Sequence, residues 1–225
     1  PDISTDVKEN IREMAKEAEG KVEFFSSKNK ISDGIVYEKG MIKECVDGVK
    51  KHLIDVQDIH LRGVHNYENI CAAIAATSGL VSSDVQVDAI KNFNGVEHRL
   101  EFVRKLDGVE WYNDSIGTSP SRTIAGLNSF RKKIVLIAGG YDKNLDYTPL
   151  AQPILKRTSK VILIGKTAKE IEDAILKELE GTDRVFPIYR CTSLEQAVQR
   201  ARNVAKSGEI VLLSPASASF DMFKD

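Results

Sequence analysis

The sequence predicts an α/β protein whose second half is a doubly wound, mostly parallel sheet. Three observations carry that expectation. Strand-like runs at 109–113, 133–138, 160–164, 184–189 and 209–213 alternate with helical segments at 120–130, 148–157, 168–180 and 194–206, and such alternation calls for parallel strands with helices packed on the sheet. Two of the helix starts carry S/T-x-x-E/Q boxes, Thr167 with Glu170 and Ser193 with Gln196, in which each side chain can satisfy a free amide of the first turn. The stretches that follow the strands are small, polar or glycine-rich, whereas those at the opposite edge look like ordinary turns.

The elements follow in order. Val7, Ile11, Met14, Ala15 and Ala18 have helical spacing, with Asp6 and Glu9 as a start signal. Lys21 to Ser26 and Gly34 to Val56 read as short strands in hairpins, with Gly40 and Asp47-Gly48 at the turns. After Gly63 the Ala-rich stretch Asn66 to Leu80 reads as a buried helix, and Ser83 with Gln86 opens another through Phe93. Runs at 98–106 and 109–113 flank Asp107-Gly108, a strong hairpin signal because both residues tolerate the positive φ that the turn needs. The texture changes from α/β with terminal helices to regular alternation near Glu97, where the domain boundary is placed.

Composition excludes several classes. A chain of 225 residues with 42% hydrophobic and 29% charged content can bury one large or two modest cores. Lys and Arg number 32 against 33 Asp and Glu, a net charge of −1, so no basic field recruits nucleic acid. Its apolar runs fall short of the ~20 residues that cross a bilayer, and no membrane partner is expected. Cys45, Cys71 and Cys191 are scattered without C-x-x-C spacing, which points to a reducing, cytoplasmic setting. The four histidines lack zinc spacing, so no protein-built metal site is expected. The chain opens on Pro1 and closes on SFDMFKD, and is read as a piece of a longer protein.

In an open parallel sheet, ligands bind beyond the carboxyl ends of the strands. Those ends hold Asn113-Asp114-Ser115 through Ser121, Gly139-Gly140-Tyr141-Asp142-Lys143, Gly165-Lys166-Thr167, Cys191-Thr192-Ser193 and Ser214 to Ser219. Thr118-Ser119-Pro120 is the sharpest signal: Ser119 suits an N-cap and Pro120 a first helical position, which leaves free amides for an anion. Taken alone, the segment also reads as an ordinary helix start. Lys143, after two glycines, suits a carboxylate or phosphate, or is a solvated loop cation. Asp114 suits ribose hydroxyls or an Asx-turn. Ser214 to Ser219 offers donors to a substrate carboxylate, or a capped helix start. His65-Asn66-Tyr67-Glu68-Asn69 opens the Ala-rich helix, with Asn66 and Asn69 on one face as carboxamides for a purine edge, or with Asn66 as a plain N-cap. His98-Arg99 lies at the boundary, where a guanidinium suits phosphates. There is no G-x-G-x-x-G after a strand and no G-x-x-x-x-G-K-[ST].

Gly63-Val64-His65-Asn66-Tyr67-Glu68-Asn69, Glu97-His98-Arg99-Leu100-Glu101 and Tyr112-Asn113-Asp114-Ser115 resemble motifs of the Mur ligase family. The strings at 136–143, 147–150 and 212–221 resemble the family member that adds D-glutamate to UDP-N-acetylmuramoyl-L-alanine. The resemblance implies the remainder of a P-loop-type ATPase domain followed by a Rossmann-like doubly wound, mostly parallel sheet domain. Residues 1–97 would be the C-terminal part of the central ATP-binding domain, and 98–225 the amino-acid-binding C-terminal domain, truncated at its end. It further implies an ATP-dependent amide ligase of peptidoglycan synthesis, monomeric, with ATP and Mg²⁺ as cofactors and the metal ligands and phosphate loop outside this chain. On this resemblance His65, Asn66, Asn69, Arg99 and Asp114 serve ATP, while Thr118, Lys143, Ser219 and Phe220 hold D-glutamate. No catalytic residue is assigned within these 225 residues, and the piece alone is expected to be inactive. One departure stands out: many members carry Asp-Ser-Lys where this sequence has Asp114-Ser115-Ile116, leaving Arg122 or Lys143 to supply a cation. The alternatives are a sibling Mur ligase, a folylpolyglutamate synthase-like ligase, or a non-catalytic Rossmann-like binding module.

Overall fold

A computed structural model of the chain describes residue 11 and residues 13–29, 31–141 and 143–218. The chain divides into two compact units, Pro1–His60 with Val64–Phe93, and Leu61–Gly63 with Asn94–Asp225.

In the first unit, residues 13–17 are helical (α1); the Asp6 and Glu9 start signal lies outside the described residues. Strands β1 (Phe25–Ser26), β2 (Gly34–Glu38), β3 (Met41–Val46) and β4 (Val49–Asp55) form a sheet in that order. β2, β3 and β4 are antiparallel, joined by Lys39-Gly40 and Asp47-Gly48, whose four φ angles of 51°, 78°, 49° and 77° match the twist of the flanking strands. β1 departs from the hairpin expectation. It pairs with β2 in parallel; seven residues separate Ser26 from Gly34, longer than the two-to-five-residue loop of a hairpin. Helix α2 (Val64–Ala76) starts two residues earlier than expected and buries Asn66, Ile70, Cys71, Ile74 and Ala75, a helical stripe that lies against β1 and β2. Burial, with the Glu68 charge nearby, pushes the Cys71 thiol up to about 12, so this cysteine is a packing residue. Helix α3 (Ser83–Asn92) has Ser82 rather than Ser83 at its N-cap position, with no side-chain cap bond, and buries no residue.

In the second unit, β5 (Glu101–Leu106) and β6 (Val109–Asn113) form the expected hairpin, with Asp107 and Gly108 at φ 52° and 78°. Then come α4 (Pro120–Asn128), β7 (Ile134–Ala138), a 3-10 turn at Thr148–Leu150, α5 (Ala151–Arg157), β8 (Thr158–Leu163), α6 (Ala168–Leu179), β9 (Ile188–Arg190), α7 (Leu194–Val204) and β10 (Ile210–Leu213). The sheet order is β5-β6-β10-β7-β8-β9, all parallel except β5. β9 is shorter than the run at 184–189 because Pro187 has no N–H to give the ladder, although its carbonyl still accepts from Val161 N at 3.1 Å.

The two faces divide the helices. Leu127 of α4, Ile154 of α5 and Ile171 and Ile175 of α6 pack with Leu136, Leu163 and Leu212 on one face. Ala197 and Ala201 of α7 pack with Val135, Ile137, Ile162 and Val211 on the other. β7 is buried along its whole length, which is why Ile134 to Ala138 is apolar without alternation; each of its large side chains contributes roughly 1.5–3 kcal/mol by leaving water. The short strap Leu61–Gly63 belongs to this unit, where the Arg62 guanidinium lies 5.8 Å from the centre of the Tyr112 ring.

Candidate functional site

β10 is last in sequence but lies between β6 and β7, so the loop after it rises between the loops that follow those two strands. Backbone bonds stitch the three loops together. Ala216 N donates to Gly117 O at 2.8 Å, Gly139 N to Pro215 O at 2.8 Å and Tyr141 N to Ala218 O at 2.7 Å. The segment bearing Thr118 and the segment leading to Lys143 are therefore both anchored to residues 215–218. Gly140 is needed for this approach, since a Cβ there would sit 2.2 Å from Ala218 O.

Two buried polar clusters flank the stitched segment. On one side Asp114, only 5% exposed, accepts from Ser214 Oγ at 2.7 Å through Oδ2 and from Leu100 N at 3.2 Å through Oδ1. Ser214 Oγ is also 2.9 Å from Thr123 Oγ1. Burial raises the Asp114 carboxyl above its ordinary value, opposed by the Ser214 and Leu100 bonds and by the charges of Arg99 and Arg122. The bond to Leu100 N holds the strap 98–100, in which His98 and Leu100 have φ of 66° and 45°, and His98 O accepts from Ile116 N at 3.2 Å. Arg99, exposed, is carried between those two left-handed residues.

On the other side Ser217 Oγ lies 2.9 Å from both Tyr147 Oη and Thr167 Oγ1. Thr167 Oγ1 also accepts from Gly140 N at 3.0 Å and is 3.3 Å from Gly140 O. Two sequence expectations change here. Ser214 and Ser217 are buried with their hydroxyls bonded inside the protein, so they are not donors to a substrate carboxylate and neither opens a helix among the described residues. Thr167 stands at the start of α6 but makes no side-chain cap bond, because its hydroxyl is engaged by Gly140 and Ser217. Ser193 does cap α7, accepting from Gln196 N.

Thr118 is half-buried at the entry to α4, and its N–H is turned back to Ile116 O at 2.8 Å. Ser119 is the N-cap position with Pro120 at the first helical position, as expected, but its hydroxyl makes no cap bond. Arg122 places Nη1 3.2 Å from Ile116 O, so a cation stands beside the residue that occupies the motif's lysine position. Lys143 is exposed. Ser219 and Phe220 lie outside the described residues. In the first unit Asn69 is exposed on α2, Asn66 is buried within the helix rather than at its cap, and His65 is half-buried in the first turn. Among the described residues no group of three or more His, Cys, Asp or Glu side chains could hold a metal ion, and no helix is long and apolar enough to cross a membrane.

Thr123 is absent from the sequence expectations, and Tyr147 enters them only as part of the 147–150 string, with no role of its own. Thr123 carried a signal, for it stands four residues before Leu127 on the inward face of α4; Tyr147 carried none, since its partner is 70 residues away.

A mostly parallel sheet with helices on both faces and loops gathered at its carboxyl edge is a doubly wound α/β domain, a fold in which ligands bind at that edge. Residues 98–217 match the family model described as Mur ligase, glutamate ligase domain, and the chain belongs to the Mur ligase family. It is 47% identical over 216 residues to the UDP-N-acetylmuramoylalanine–D-glutamate ligase of Acetivibrio thermocellus, covering 95% of this chain and 46% of that protein. It is 45% identical over 208 residues to the protein of the same name from Clostridium botulinum strain Alaska E43, covering 92% of this chain and 44% of that one. The chain thus spans about half the length of the curated relatives it matches. In fold it is similar to MurF from Acinetobacter baumannii, with a TM-score of 0.67 at 15% identity over 94% of this chain and 47% of that one. A bifunctional folylpolyglutamate synthase/dihydrofolate synthase with Mn, AMPPNP and L-glutamate bound gives 0.66 at 12% identity over 98% of this chain and 50% of that one.

Proposed function

We propose that this chain is part of an ATP-dependent amide ligase that joins D-glutamate to UDP-N-acetylmuramoyl-L-alanine in the cytoplasm. The observation that carries the reading is the anchoring of the Thr118 and Lys143 loops to one segment at the carboxyl edge of the sheet, in a chain whose curated relatives bear the name of that ligase. ATP, when bound, supplies the phosphoryl group that turns a carboxylate into an acyl phosphate, so that an amine displaces phosphate rather than hydroxide.

The residues of the second unit then have distinct tasks. Lys143 provides a cation for a carboxylate of the amino acid, and the Thr118 hydroxyl with the free amides of α4 provides donors. Ser219 and Phe220 belong to the same proposal. Arg99, rigidly carried by the 98–100 strap, is assigned to phosphate. A ribose hydroxyl at Asp114 would share the carboxylate with Ser214 and Leu100. An ionised carboxylate has about four acceptor sites and two are in use here, so the donor set fits. In the first unit Asn69 has an exposed carboxamide suited to adenine, with His65 beside it, while buried Asn66 supports the helix that presents them. Mg²⁺ is assigned to residues outside this chain.

Calorimetric titration tests the reading. D-glutamate should bind the 225-residue protein weakly but saturably, and Lys143→Ala should weaken it about tenfold or more, as expected for losing a charge-assisted hydrogen bond. Unchanged affinity in that variant would remove Lys143 from the site. Absence of binding by both D-glutamate and ADP, with the remaining polypeptide restored, would sink the ligase reading.

A further inference from the structure

The chain Tyr147, Ser217, Thr167 and Gly140 can be followed proton by proton. Gly140 N–H donates to Thr167 Oγ1 at 3.0 Å, and Gly140 O accepts from Thr167 N at 3.1 Å. If the Thr167 hydroxyl donates to Gly140 O, then Ser217 donates to Thr167 and Tyr147 donates to Ser217, and every proton has an acceptor. The reverse direction leaves the phenolic proton of Tyr147, 4% exposed, without an acceptor, which costs more than the bond is worth. Satisfaction therefore fixes the direction, and all three hydroxyls are spent inside the protein.

This chain joins the loops after three different strands. Tyr147 and Gly140 follow β7, Thr167 follows β8 and Ser217 follows β10. Side-chain packing cannot do the same task here, because the backbones touch: a Cβ on Gly165 would lie 2.6 Å from Gly140 Cα. Val, Ala and Phe would fill the same volumes, but Val at 167 would leave the Gly140 N–H without the hydroxyl that accepts from it, a cost that apolar packing does not offset. A polar chain specifies geometry instead.

We infer that Tyr147, Ser217 and Thr167 are positioning residues, a buried hydroxyl latch that fixes the loop leading to Lys143 against the loop after β10 and so sets the affinity for the acidic amino acid. The affinity part rests on the ligase reading above; the latch itself does not.

Two measurements on the 225-residue protein keep the two apart. Amide exchange without ligand reads the latch: in Thr167→Val and Ser217→Ala the Gly140 and Tyr141 amides should exchange about tenfold faster while those of β7 are unchanged, and Thr167→Ser should restore protection. Tyr147→Phe, which removes only the terminal donor, serves should the others fail to fold. Equal exchange at Gly140 and Tyr141 in a folded variant overturns the latch. Titration then reads its consequence: D-glutamate affinity should fall about tenfold in Thr167→Val, return to within about threefold of wild type in Thr167→Ser, and leave ADP within about twofold. D-glutamate affinity unchanged in Thr167→Val overturns the positioning role, whereas variants that show the exchange effect, in a protein that binds neither D-glutamate nor ADP even with the remaining polypeptide restored, overturn the ligase reading and leave the latch standing.

Discussion

Asp114 combines burial with two internal hydrogen bonds, and the two effects oppose each other. Burial is the larger and raises its folded-state carboxyl, so the folded protein holds this proton more tightly than the unfolded chain does. Stability from this group is therefore greatest below the ordinary Asp value and falls as pH rises through the interval up to the raised one. Asp114→Asn should flatten that fall in urea unfolding followed against pH, and should cost less than about 1 kcal/mol at neutral pH because Leu100 N keeps an acceptor. Asp114→Ala should cost about 2–3 kcal/mol, since Leu100 N loses its acceptor and Ser214 Oγ keeps only Thr123 Oγ1. The sequence allowed Asp114 as a ribose contact or an Asx-turn; the bonds to Ser214 and Leu100, 100 and 14 positions away along the chain, give it a structural task that local pattern does not contain.

Helix starts were legible as positions and not as interactions. Ser119, Thr167 and Ser193 all stand where the sequence placed a helix start, yet only Ser193 accepts from a first-turn amide among these three. The expected consequence is a difference in urea midpoints. Ser193→Ala should destabilise by about 1 kcal/mol, whereas Ser119→Ala should change stability by less than about 0.5 kcal/mol. Strands were equally legible where the signal was local. Asp107-Gly108 and Asp47-Gly48 form the turns expected of them, because the positive φ they need is a property of two residues. β1 was placed in a hairpin and is instead parallel to β2, because direction is decided by the intervening loop and not by the strand.

Across the molecule, the alternation of strands and helices from 109 to 213 identified the doubly wound sheet, and the family match begins at 98. The near-neutral charge, 32 positive against 33 negative side chains, is compatible with the proposed use of single placed cations, Lys143 and Arg99, in place of a basic surface. Since no G-x-x-x-x-G-K-[ST] occurs in these 225 residues, the chain alone should release no phosphate from ATP above a buffer blank; release above it would show that another segment grips the phosphates. By itself the sequence determined the order and kind of the elements, the buried stripes and the edge at which polar loops collect, because each depends on residues a few positions apart. Only the tertiary structure decided that β10 enters between β6 and β7, and hence that Ser214 turns to Asp114 and Thr123 while Ser217, three residues on, turns to Tyr147 and Thr167. Those partners are brought together by strand order, and strand order depends on how distant apolar faces pack, which no local spacing records.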